Sequence, residues 1–231
     1  MVRLVLFDVD GTLIRTGGAG VRAFGKVFAE EFGATDGFER LKFAGRTDLG
    51  IVREFFAFHL IPPAPENFRR FFDRYVFWLD HLLHLENKTE ICQGVPEFIR
   101  QLQALPQPPL LGLLTGNIRL GAEIKLRHAG LWELFQTGGF GDDDEDRNRI
   151  AAIARQRGER LLGRLLSGGE VLVIGDTPLD IRCARAIGAR VLAVASGGAS
   201  LKELRRLDPD WAVADLRGVT AKKIAAPAEG R

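Results

Sequence analysis

Two aspartates stand two residues apart in Asp8-Val9-Asp10-Gly11-Thr12, directly after the apolar run Val2 to Phe7. Carboxylates at i and i+2 around a strand end can take different jobs. One can point into a pocket as a nucleophile while the other, past the turn, serves as acid and then base. Gly11 permits the turn. Thr115-Gly116-Asn117 follows a second apolar run, Leu110 to Leu114, and offers a hydroxyl donor and free backbone N–H groups to a phosphate. A third run, Val171 to Ile174, leads into Gly175-Asp176-Thr177-Pro178-Leu179-Asp180. Taken singly, these strings also read as a solvated turn or a helix cap. Gathered in one pocket, three or four carboxylates repel one another unless a cation intervenes, and hard oxygen ligands with room for water suit Mg²⁺.

The elements that must position these residues follow from the same runs. Val2–Phe7, Leu110–Leu114, Val171–Ile174 and Val191–Ala195 are short, apolar and bounded by Gly, Asp, Thr or Ser, the pattern of buried strands. Helical stretches such as Arg119–Ala129 and Leu179–Ile187 alternate with them, which predicts an α/β protein with a doubly wound, Rossmann-like parallel sheet covered on both faces. Ligands of such sheets bind beyond the carboxyl ends of the strands, where Asp8, Asp10, Thr115, Asn117, Asp176 and Asp180 all fall. Between the first and second strands lie four helical segments, Gly20–Phe32, Thr47–Leu60, Pro65–Leu85 and Val95–Leu105, with no convincing strand. The stretch from Phe55 to Trp78 holds nine of the chain's twenty Phe, Trp and Tyr residues, enough for a small helical core of its own. The division expected is a catalytic core of 1–14 and 91–231, with a helical cap domain at 15–90.

Composition bounds what this assembly can be. The 231 residues are 46% hydrophobic and 27% charged, a globular balance, and 32 Lys and Arg against 30 Asp and Glu leave a net charge of +2. No global field recruits nucleic acid or an anionic membrane, so neither is expected as a partner. The apolar start, Met1 to Phe7, is far shorter than the roughly 20 residues of a membrane span. With only Cys92 and Cys183, both in interior-like segments, a reducing cytoplasmic setting is expected rather than a disulfide framework.

Asp8-Val9-Asp10-Gly11-Thr12 resembles the first signature of the haloacid dehalogenase superfamily phosphatases. Leu114-Thr115-Gly116-Asn117 resembles the second and Gly175 to Asp180 the fourth, in the family's order and across nearly the whole chain. The helical insert is similar to the mobile cap of the phosphoglycolate phosphatase-like branch. The namesake dehalogenases lack the second aspartate of the first signature, so Asp10 points to phosphoryl chemistry. The resemblance implies a Mg²⁺-dependent hydrolase of small phosphorylated metabolites, acting as a monomer or homodimer. Asp8 would attack phosphorus and form an aspartyl-phosphate, and Asp10 would protonate the leaving alkoxide and then activate water. Asp8, the backbone carbonyl of Asp10 and Asp176 would hold the metal, with Asp180 as a further or more distant ligand. Thr115, Gly116 and Asn117 would bind the phosphoryl group.

The family's third signature, a basic residue, departs here from the commoner Lys. Arg147 is the expected counterpart, ahead of Arg149, with Lys125 further along its own helix. In the insert, Gly45-Arg46-Thr47 resembles a cap loop facing the pocket, where Arg46 would meet a substrate carboxylate or second phosphate, or merely precede a helix begun by Thr47. Thr16-Gly17-Gly18 falls where a core-to-cap joint is expected. His81 and His84 read as ordinary helix residues, Asp142 to Asp146 as a solvated loop, and Gly197-Gly198 as a turn. A phosphomutase of the same superfamily is the nearest alternative, and a receiver-type phosphoacceptor module a more distant one, being shorter and without the insert.

Overall fold

In the computed structural model, which describes residues 1–226, the first apolar run forms β1 (Leu4–Phe7) with every side chain buried. Alternation along the strand sends Val5 and Phe7 into one hydrophobic layer and Leu4 and Leu6 into another, so β1 is covered on both faces. It pairs in parallel with β4 (Leu110–Leu114) on one side and β6 (Val171–Gly175) on the other. The full sheet has six parallel strands in the order β5 (Thr137–Gly139), β4, β1, β6, β7 (Arg190–Val194), β8 (Trp211–Val213). The doubly wound α/β expectation therefore holds. The two edge strands, β5 and β8, went unread in the sequence. Each has three residues, too few to show a period, and two of those in β5 are glycines, poor strand formers.

One face of the sheet is covered by α4 (Val95–Gln103), α5 (Arg119–His128) and α9 (Ala221–Ala225), through Phe98, Leu102, Leu126 and Ile224. The other is covered by α6 (Arg147–Leu162), α7 (Pro178–Ala186) and α8 (Leu201–Arg205), through Ile150, Ala154, Ile181 and Leu204. Among the described residues, no helix is long and apolar enough to cross a membrane. Cys92 and Cys183 are both buried free thiols.

After β1 the chain turns through Gly11, at φ +83°, and forms β2 (Ile14–Arg15) before entering a helical layer of α1 (Ala19–Phe32), α2 (Asp48–Phe58) and α3 (Pro65–Glu86). It returns through β3 (Glu90–Ile91), which pairs antiparallel with β2. This corrects the expectation of no strand in the stretch: two-residue strands leave no sequence signal, yet they hold the outgoing and returning chains side by side. Gly17 and Gly18, at φ +58° and +85°, lie between β2 and α1.

The helical layer has its own core, built from Phe24 and Phe28 of α1, Phe55 and Phe56 of α2, and Phe71 and Tyr75 of α3. Most of the rings meet edge-on or tilted, with Phe71 centred 5.0 Å from Phe24 and 4.7 Å from Phe28, while Phe28 stacks on Phe55 and Phe71 on Tyr75. Not every aromatic of the Phe55–Trp78 stretch serves this core: Phe58 and Phe77 are 46% and 53% exposed, because they sit on the outer arcs of α2 and α3. Since Phe71 is wholly buried among other rings, Phe71→Ala should cost about 3–5 kcal/mol of stability, read as a lower denaturant midpoint.

Candidate active site

Where β1, β4 and β6 end, a cavity of about 560 Å³ opens between the sheet and the helical layer. From the core it is lined by Asp8, Asp10, Thr115, Gly116, Asn117, Lys125, Arg147 and Asp176, and from the insert by Phe24, Phe43, Arg46, Asp48, Ile51 and Tyr75. The sequence-derived residues thus meet at one place, beyond the carboxyl ends of the strands that deliver them.

Asp8 is buried just past β1. Its Oδ1 accepts a hydrogen bond from Arg147 Nη2 at 2.9 Å, while Oδ2 has no partner among the described residues. Burial pushes its carboxyl well above the ordinary value. Arg147 pulls it back, and the negative charges of Asp180, Asp176 and Asp10 raise it further. Asp176 is pushed up to about 6, chiefly by burial and then by Asp180. Its Oδ1 accepts from Thr12 Oγ1 at 3.1 Å and its Oδ2 from the Gly198 backbone at 2.5 Å.

One carboxylate oxygen each from Asp8, Asp176 and Asp180 lies within 4.8 Å of the others, the one such cluster among the described residues. Buried hard oxygens at this spacing fit a small divalent cation, whose charge would offset the crowding. The three do not stand equally. Both oxygens of Asp180 are engaged, Oδ2 by Thr177 N at 3.0 Å and Thr177 Oγ1 at 2.7 Å, and Oδ1 by Arg147. Asp176 is hydrogen-bonded at both oxygens as well, but Asp8 and Asp176 line the cavity whereas the wholly buried Asp180 does not, so Asp180 is the support that caps α7 and holds Arg147. Asp8 and Asp176 are the side chains positioned to bind the ion, with Asp180 behind them.

Arg147 opens α6, whose first turn is capped by Asp146 accepting from Asn148 N. From there the buried guanidinium reaches Asp8 and Asp180, and also the carbonyls of Gly45 at 3.1 Å and Leu114 at 3.4 Å. Arg149 lies outside, exposed and 3.4 Å from Asp144. Lys125, expected to be a weaker candidate because it lies well into α5, is buried and places Nζ 2.7 Å from both Asp10 Oδ2 and Asn117 Oδ1. From the last turn of α5 its long side chain reaches back to the cavity. Each acidic member of the Asp8–Asp10 pair therefore has its own cation. Arg147→Met should destabilise the fold by about 3 kcal/mol, since it strands two buried carboxylates, whereas Arg147→Lys should recover part of that loss. Urea titration of the two variants checks this.

Asp10 Oδ2 also accepts from Asn117 Nδ2 at 2.8 Å, and Asn117 Nδ2 donates to Thr115 Oγ1 at 2.8 Å. The Thr115 hydroxyl and the Gly116 backbone N–H donate to nothing else among the described residues, and both line the cavity. Gly116 is needed for docking the insert: a Cβ there would come within 2.0 Å of the Arg46 carbonyl oxygen. The adjoining contact is Asp48 N donating to Gly116 O at 2.8 Å. Arg46 lines the cavity, but its guanidinium pairs with Glu54 at 2.5 Å. Thr47 begins α2 as its cap, accepting from Gly50 N.

Two expectations need correction. The acidic run Asp142–Asp146 is not simply solvated: Asp142 accepts from Arg119 N, Asp143 binds Arg157, and Glu145 pairs with Arg53 of the insert. Gly197-Gly198 is more than a turn, because the Gly198 N–H holds Asp176 and a Cβ at Gly197 would strike the same carboxylate at 2.0 Å. The cavity also takes in Asp48 and Tyr75, beyond the residues that the sequence motifs supply. Asp48 directly follows Gly45-Arg46-Thr47, so the cap-loop motif carried a signal for it, whereas Tyr75 was hidden in the aromatic periodicity of α3. His81 and His84 are exposed helix residues, as read.

Residues 5–194 match the family model described as haloacid dehalogenase-like hydrolase. No curated protein matches the chain. Among solved structures, a predicted phosphatase from Clostridium acetobutylicum is similar, with a TM-score of 0.71 at 17% identity over 98% of this chain and 100% of that one. A predicted phosphoglycolate phosphatase from Haemophilus somnus gives 0.70 at 18% identity over 96% of each. CbbY from Rhodobacter sphaeroides in complex with phosphate gives 0.67 at 22% identity, over 86% of this chain and 88% of that one. At these identities the likeness speaks for the shared fold.

Proposed function

Because the chain belongs to the haloacid dehalogenase-like hydrolase family, we propose that it is a Mg²⁺-dependent phosphatase of small phosphomonoesters that works through an aspartyl-phosphate on Asp8. The observation that carries this reading is the division of labour between two carboxylates at one cavity. Asp8 keeps one oxygen free while Arg147 fixes the other, and Asp10 presents a half-exposed carboxyl steadied by Asn117 and Lys125.

In the first step Asp8 Oδ2 forms a bond to phosphorus as the bond to the ester oxygen breaks, and Asp10, protonated, gives its proton to the departing alkoxide. In the second, water attacks phosphorus, Asp10 takes the water's proton, and the bond to Asp8 breaks to release phosphate. Thr115 Oγ1 and the Gly116 N–H are the donors that hold the phosphoryl oxygens through both steps. Arg147 anchors Asp8 in its attacking geometry and balances charge on the buried side. Asp8, Asp176 and the Asp10 carbonyl would hold Mg²⁺, which when bound supplies positive charge to the transferring phosphoryl group. The helical layer closes the cavity and excludes water from it.

CbbY, solved with phosphate and, as a mutant, with xylulose-1,5-bisphosphate, supports a small phosphorylated substrate here. Two free buried thiols agree with a reducing, cytoplasmic setting. The test is release of inorganic phosphate from a panel of phosphorylated metabolites with Mg²⁺ or with a chelator. Metal-dependent release supports the reading. Isomer conversion without release would replace it by a mutase.

A further inference from the structure

The part of the cavity contributed by the helical insert has a chemistry of its own. Asp48 is 8% exposed, and its Oδ2 accepts from the Ile118 backbone N–H at 2.9 Å, while Oδ1 meets no donor among the described residues. Tyr75 is buried among Phe24, Phe71 and Phe72, yet its hydroxyl has no hydrogen-bond partner among the described residues. Both residues line the cavity. Neither atom is sealed off: the fully buried side-chain polar atoms without a partner among the described residues are Thr89 Oγ1 and Arg147 Nε, so Asp48 Oδ1 and the Tyr75 hydroxyl open on the cavity and are free to meet a ligand there. Phe24, Phe43 and Ile51 supply an apolar surface around the two.

The cations of the cavity are already placed elsewhere. Arg147 serves Asp8 and Asp180, Lys125 serves Asp10 and Asn117, Arg46 serves Glu54, and Arg15 donates to the Ser196 carbonyl. A substrate with a second anionic group would thus find the Asp48 carboxylate facing it, and of the cavity's cations only Arg15, whose guanidinium is held at the Ser196 carbonyl, is without a carboxylate partner among the described residues. Burial pushes Asp48 up to about 7, with Lys125 and the Ile118 N–H opposing and Asp10 and Asp142 adding to the rise. A hydrogen-bond donor from the substrate would stabilise the ionised form.

Resting on the phosphatase reading, we propose that Asp48 and Tyr75 form a leaving-group subsite. It selects phosphomonoesters whose alcohol portion carries a hydroxyl or amino donor beside an apolar face, and it disfavours those with a second anion, phosphoglycolate among them. Asp48 and Tyr75 act in specificity and take no part in phosphoryl transfer.

The experiment measures kcat and KM with Mg²⁺, at a pH of about 8.5 where Asp48 is ionised, for four substrates. Glycerol phosphate offers hydroxyls, phosphoethanolamine an ammonium, phenyl phosphate an apolar group without a donor, and phosphoglycolate a carboxylate. The better of the two donor-bearing substrates should exceed the other two classes in kcat/KM by about tenfold or more, and which of the two wins identifies the donor. Asp48→Asn keeps an acceptor for Ile118 but removes the charge. It should raise KM for the donor substrate about tenfold and lower KM for phosphoglycolate, shifting their ratio in a way that a purely structural role would not. Tyr75→Phe keeps the ring packing and should raise KM for the donor substrate alone.

A wild-type preference for phosphoglycolate or phenyl phosphate, or an Asp48→Asn variant that scales all four substrates alike, would overturn the proposal. Should Asp48→Asn fail to fold, the wild-type ranking decides. Failure to release phosphate from any of the four strikes the phosphatase reading itself.

Discussion

Asp8→Asn is expected to lower kcat by about 10³-fold or more, measured as phosphate release from any substrate the wild type hydrolyses. The amide that replaces the carboxylate is no nucleophile for phosphorus, and no neighbour can substitute. Asp176 is tied by Thr12 and Gly198, and Asp180 by Thr177 and Arg147. The loss should not come from unfolding. Burial raises the Asp8 pKa in the folded chain, so its contribution to metal-free stability is most favourable below the unfolded value of about 4 and declines as pH rises toward the folded value. At neutral pH, in a chelator, Asp8→Asn should melt no lower than wild type, and Arg147 keeps Asp180 as its partner. Added Mg²⁺ should raise the wild-type melting temperature and raise that of Asp8→Asn less, because one of the two best-placed ligands is gone.

Asp10→Asn should produce a loss of a different kind. Alkyl phosphates need a proton on the departing oxygen, and their turnover should fall by about 10²–10⁴-fold. p-Nitrophenyl phosphate has a leaving group that departs without help, so its first step should survive while hydrolysis of the phosphorylated Asp8 stalls. Rapid mixing should then show a burst of nitrophenolate close to one per active site, followed by a slow phase. Equal damage to both substrate types, without a burst, would remove Asp10 from the acid and base role. Lys125 and Asn117, which steady one Asp10 oxygen, can hold the Asn side chain in nearly the same place, so the comparison isolates chemistry from geometry.

The parts of the molecule that were legible in advance share a physical origin. Leu4–Phe7, Leu110–Leu114 and Val171–Gly175 are strands buried on two faces, so they must be continuously apolar, and the polar residues that follow each run must stand at its carboxyl end. That pattern alone places Asp8, Thr115 and Asp176 around one cavity. Features depending on contacts distant in sequence were not legible. β2 and β3 exist because two chain crossings run side by side, and Gly198 matters because its N–H meets a carboxylate 22 residues earlier in the chain. Lys125 is hard to read for the same reason, since its distance along α5 hides the fact that its long side chain folds back to Asp10. Asp48 stood beside a motif already noted, yet an aspartate in the first turn of a helix is most often there for the helix dipole. Only the cavity shows that one of its oxygens has no such use.

Covalent phosphorylation of Asp8 is the step on which the whole account turns. Asp10→Asn protein, mixed briefly with p-nitrophenyl phosphate and Mg²⁺, quenched in acid and digested, should yield a peptide containing Asp8 with one added phosphoryl group by mass spectrometry, absent when Asp8 is also replaced by Asn. Nitrophenolate release with no phosphoryl group on that peptide, or with the group on another residue, would contradict it.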